Sequence, residues 1–189
     1  MGFLSGISRL VDALNERIGR LVYWLILAAV LVSSGNAIVR YALNTSSNAW
    51  LELQWYLYAA VFLLSAGYTL LRNEHVRIDV LTGRLSPRGQ AWVDLCGGAL
   101  FLLPLAVLIL WLSWPMFVES YNRGEISSDA GGLIRWPVKL LIPVGFALLA
   151  LQGLSECIKR VAFLSGRGPD PNEKPGSDHG AVPPLSDPA

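Results

Sequence analysis

Charged residues are scarce in this chain: they make up 15% of its 189 residues, against 53% hydrophobic residues and a mean hydropathy of +0.45. A soluble domain usually carries about 25% charged residues, so an ordinary water-facing globule is excluded. The net charge is only +1. That leaves no basic surface for a polyanion, and no nucleic-acid partner is expected. Histidine and cysteine number two each. Cys96 and Cys157 match no metal spacing and no disulfide framework and read as free thiols. His75 and His179 fall outside the long apolar runs, which leaves those runs without the axial ligands that a membrane haem requires. GxSxG, HExxH and P-loop patterns are missing too, so neither catalysis nor a cofactor is expected of this chain.

What the sequence does have is four long runs almost free of charge, at about 21–39, 50–71, 91–115 and 138–157. A helix rises about 1.5 Å per residue, so roughly 20 residues cross a hydrocarbon core about 30 Å thick. The fold class expected is an all-α integral membrane protein with four transmembrane helices. The membrane domain covers residues 1–165. The N-terminus does not read as a cleavable signal, because the first apolar run starts only at Leu21, after Asp12 and Glu16. Residues 3–18 are expected to form an amphipathic arm helix. Phe3, Ile7, Leu10, Val11, Leu14 and Ile18 recur at steps of three and four, with Ser8, Arg9, Asp12, Asn15 and Glu16 on the other face. Such an arm suits the membrane surface. Residues 166–189 contain ten Pro or Gly in 24 positions and are expected to be a disordered tail.

Lys and Arg concentrate in cytoplasmic loops. Eleven lie before the first run, between the second and third, or after the fourth; four lie in the other two connections. Both termini are therefore expected in the cytoplasm. The tryptophans agree, since interfaces favour them. Trp24 and Trp92 fall near the inner side, and Trp50, Trp55, Trp111, Trp114 and Trp136 near the outer.

Asn48 is expected to cap the second span, with Glu52 in its first turn, where the helix dipole favours a carboxylate. Ser86-Pro87 reads as the cap and first residue of the next helix. Pro104 should bend that helix. The deep interiors of the runs hold no ionisable residue, the usual mark of a coupling-ion site. Asp94 and Glu156 lie near the inner ends, and Arg40 and Glu52 near the outer ends, where they are expected to pair. Asn36, Gln54 and Gln152 are placed to bond between helices. A membrane protein with no engine of its own is, by elimination, an accessory subunit.

Three stretches point to a family. Trp50-Leu51-Glu52 opens the second span. "NEHVRIDVL", Asn73 to Leu81, follows that span and contains a His-Val-Arg-x-Asp run. "SSDAGGLIRWPVKLLIPVGFALLALQGLSE", Ser127 to Glu156, leads into the last span. With the four-span layout and N-terminal arm, these make the chain, over about residues 5–164, similar to the DctQ-type small permease subunit of tripartite ATP-independent periplasmic (TRAP) transporters. The resemblance implies an inner-membrane scaffold subunit of a sodium-coupled importer of organic acids and related solutes. Its partners would be a large permease subunit, a periplasmic solute-binding protein and membrane lipids. It also suggests roles for particular residues: His75, Arg77 and Asp79 as a cytoplasmic contact motif, and Arg123, Glu125 and Arg135 as a docking surface for the binding protein. The competing class is a membrane anchor or assembly subunit of a redox enzyme.

Overall fold

The computed structural model describes residues 2–45, 47–72, 85–166 and 168–169, and these are helical throughout apart from their connections. The elements are α1 (Gly2–Leu43), α2 (Asn48–Leu71), α3 (Pro87–Gly97), a π-helical segment (Gly98–Leu102), α4 (Leu103–Asn122) and α5 (Trp136–Leu164). Of the tail expected at 166–189, residues 167 and 170–189 lie outside the described residues.

Helix α1 corrects one expectation. The arm at 3–18 and the span at 21–39 form one unbroken helix of 42 residues, about 63 Å long at roughly 1.5 Å per residue. Gly19, at the junction, does not break it: a Cβ there would run into the Tyr68 ring of α2. The arm turns mainly small and polar residues toward the bundle. Ser8, Val11, Asn15, Gly19, Val22 and Ala29 form the inward stripe, while Ile7, Leu10 and Leu14 are exposed. Around a membrane bundle small and polar residues mediate helix contact, and apolar side chains can face outward.

The other helix ends follow from local chemistry. Asn44, just past the end of α1, has φ +49°, the left-handed conformation that an Asn tolerates at a helix terminus. Ser47, not Asn48, occupies the N-cap of α2. Asn48 instead donates its amide to the Ala130 carbonyl at 3.1 Å. At α3, Ser86 Oγ accepts from the Gly89 N–H at 3.3 Å, with Pro87 at the first helical position. The disturbance expected from Pro104 is the π segment just before it. Proline clashes with the carbonyl four residues back, here Leu100, and widening the turn relieves that clash.

The helices pack around α5, which contacts α2, α3, α4 and the N-terminal half of α1, while α1 also lies along α2. Glycines allow the closest approaches: a Cβ on Gly145 would lie 2.7 Å from the Leu63 carbonyl oxygen of α2, and one on Gly153 2.6 Å from a Leu102 methyl. Among the described residues, three helical stretches are long and apolar enough to cross a membrane: Gly6–Leu43, Pro87–Asn122 and Trp136–Leu164. Helix α2 has 24 residues, but Gln54, Trp55, Tyr56, Tyr58, Tyr68 and Thr69 dilute its apolar character, and it does not count with the other three.

Candidate functional site

Two polar clusters hold the bundle, one at each end. At the end carrying the loop between α4 and α5, Glu52 is buried at 3% exposure. Its carboxylate accepts hydrogen bonds from the Ser127 hydroxyl and, at 2.5 Å, from the Leu133 N–H, and Arg135 stands 3.7 Å away. Arg135 also donates to Ser127 Oγ at 3.0 Å and lies over the Trp55 ring, 5.4 Å from its centroid. The loop itself is a narrow hairpin. Ile126 bridges Ile134, the Arg135 N–H bonds the Glu125 carbonyl at 2.9 Å, and Gly124 and Gly131 take the positive φ values its turns require. Lys139 of α5 pairs with Glu125, and that ammonium holds the Glu125 carboxyl below the usual glutamate range. Tyr121 and Trp136 meet edge to face at 5.5 Å beneath the loop.

The pairing of Arg40 with Glu52, expected from their nearness in sequence, is therefore replaced. Glu52 turns to Arg135, Ser127 and a backbone N–H of the distant loop, and among the described residues Arg40 has no ion-pair partner. Of the three docking candidates, Arg135 is committed to Glu52 and Glu125 to Lys139. Arg123 stands outward, its side chain 75% exposed and, among the described residues, paired with Glu119 one turn back. His75, Arg77 and Asp79 lie outside the described residues.

The cluster at the opposite end was only partly anticipated. Asp12 of α1 accepts from Lys159 Nζ at 2.8 Å, from Gln152 Nε2 at 2.9 Å and from Ser155 Oγ at 3.0 Å. Asn15 Nδ2 donates to Gln152 Oε1 at 2.9 Å, and Ser8 and Ser155 share a hydrogen bond of 2.6 Å. Arg160, 4% exposed, joins Glu156 on its own helix at 2.5 Å to Asp94 of α3 at 3.2 Å. Arg72, just past α2, reaches Glu16 of α1 at 2.6 Å. Residues of α1, α3 and α5, with Arg72 at the end of α2, make up this network. The sequence contained a signal for it: Gln152, Glu156 and Arg160 recur every four residues on α5, matching Ser8, Asp12 and Asn15 on α1. Of the residues in this cluster, only Gln152 was expected to bond between helices, as it does.

These carboxylates, amides and cations bind one another, which is the chemistry of a clamp. Among the described residues no group of three His, Cys, Asp or Glu could hold a metal ion. Apolar helices long enough to span, tied at both ends by ion pairs, define an integral membrane protein. The chain belongs to the DctQ component of the tripartite ATP-independent periplasmic transporters, the family whose description matches residues 29–163. It is also similar, at 31% identity over 88 residues, to a protein of Haemophilus influenzae named as a TRAP transporter small permease protein; that match covers 47% of this chain and 54% of the relative. No solved structure matches.

Proposed function

We propose that this chain is the small scaffold subunit of a sodium-coupled, binding-protein-dependent TRAP transporter that imports organic acids or related solutes. It supports the large permease subunit and helps to dock the periplasmic solute-binding protein. The single observation that carries the reading is the family match across residues 29–163. The geometry supports it, because the described charges are largely spent on holding helices to one another. In this reading α2 is the fourth membrane span, bundled between α1 and α5, and both termini face the cytoplasm. The His75, Arg77 and Asp79 motif fixes the inner loop through polar contacts. Arg123, the outward cation of the outer loop, steers the binding protein.

The test is genetic. Deleting this chain, with the large permease and binding protein left intact, abolishes sodium-dependent uptake of the solute, and re-expression restores it. Undiminished uptake in the deletion strain rejects the proposal. Reversing charge at Arg123 weakens uptake when binding protein is limiting and leaves assembly of the membrane subunits unchanged.

A further inference from the structure

One polar surface is only partly satisfied among the described residues. Near its C-terminal end, α1 carries Ser33, Asn36, Arg40 and Asn44 along one side. With Gln54 of α2 they line an open groove of about 510 Å³. Asn36 also borders an apolar groove of about 310 Å³ lined by Leu31, Gly35, Val39 and Trp50. Ser33 bonds Tyr58 at 3.3 Å. Among the described residues, neither Asn36 nor Arg40 has a hydrogen-bond or ion-pair partner.

Depth decides what can cover this surface. The apolar run of α1 ends at about Val39, so Asn36 lies about 5 Å and Ser33 about 9 Å inside it along the helix. Arginine so close to the helix end can extend its guanidinium to the interface. Asparagine is too short to do so, and acyl chains offer its amide nothing to bond. The open space beside Gly35, where a Cβ would meet no atom within 4 Å, admits a second backbone at close range.

We infer that this face of α1 and α2 seats a membrane helix of the large permease subunit, one that presents a carboxylate or free carbonyl groups to Arg40 and Asn36. The cationic, amide-bearing wall calls for acceptors at that depth, and the flanking apolar groove takes the partner's aliphatic side chains. This assignment rests on the transporter reading and adds to it the face of contact.

The experiment uses the full complex in native membranes. A photo-crosslinking residue at Ala37, which lines the polar groove, forms an adduct with the large permease. Arg40→Met reduces the permease recovered with this chain by at least about thirtyfold, as expected when one partner of a buried interfacial charge pair is truncated, and Arg40→Lys restores most of it. The Arg40→Met chain itself inserts and unfolds like the wild type, because Arg40 has no partner among the chain's described residues. If position 37 crosslinks only to lipid or to the binding protein while the wild-type chain recovers the permease, the assignment is overturned and the transporter reading stands. If the wild-type chain recovers no large permease, the transporter reading fails and this assignment fails with it.

Discussion

Replacing Arg160 with methionine removes the cation that ties α3 to α5. The Arg160 side chain is 5% exposed, and its partners Asp94 and Glu156 are 19% and 15% exposed, so water does little to screen the pairs. Methionine fills much of the same volume but leaves Asp94 without this cation, while Glu156 keeps Lys159 and Gln152. Breaking a buried ion pair by removing one partner costs about 3–5 kcal/mol. For a chain of this size each kcal/mol moves the midpoint by roughly 2–4 °C, so the unfolding midpoint should fall by about 6–20 °C. The assay is thermal unfolding of the detergent-purified chain, followed by tryptophan fluorescence and by loss of soluble protein. The double variant Arg160→Met, Asp94→Leu should recover part of the loss, because the second change removes the carboxylate that Arg160 faces. A fall below about 2 °C in the single variant would refute the claim that this network holds its end of the bundle together.

Gly145→Val should separate α2 from α5, because its Cβ would lie 2.7 Å from a backbone oxygen that cannot move aside; a cost of about 1–3 kcal/mol is expected in the same unfolding assay. Acid should loosen the loop between α4 and α5 late. Glu125 titrates below its ordinary value of 4.5 because of Lys139, so the pair contributes fully above that value and is lost as pH falls through the lowered one. Pepsin cleavage of the loop should therefore begin below pH 4.5, and Lys139→Met should move the onset upward. A periplasmic phosphatase fused at Leu85 should be inactive, as the cytoplasmic placement of that loop requires, whereas activity there would reverse the proposed topology.

The helices were legible because long chargeless runs leave few alternatives, and the start of α3 was legible because Ser86-Pro87 carries its own capping chemistry. The arm shows where such reasoning stops. Ile7, Leu10 and Leu14 gave the correct helical period, but periodicity does not say which face is buried. In this bundle Ser8 and Asn15 face inward because α5 presents Gln152 and Ser155 to meet them. Glu52 was recognised as a candidate and given the wrong partner for a related reason. Arg40 is near in sequence, but the loop that supplies Ser127, Leu133 and Arg135 is brought to Glu52 only by the packing of α5 against α2. Long-range ion pairs of this kind leave no local signature. Helix α2 lies between the two cases: its length was legible, while its tyrosines and Gln54 keep it less apolar than the three helical stretches that could cross a membrane.

The most direct test of the scaffold role is reconstitution in liposomes with a sodium gradient. Uptake of the solute is measured with this chain alone, with the large permease and binding protein alone, and with all three. The account predicts sodium-driven uptake only in the complete set. Sodium-dependent flux through this chain by itself, or full uptake without it, would contradict the account.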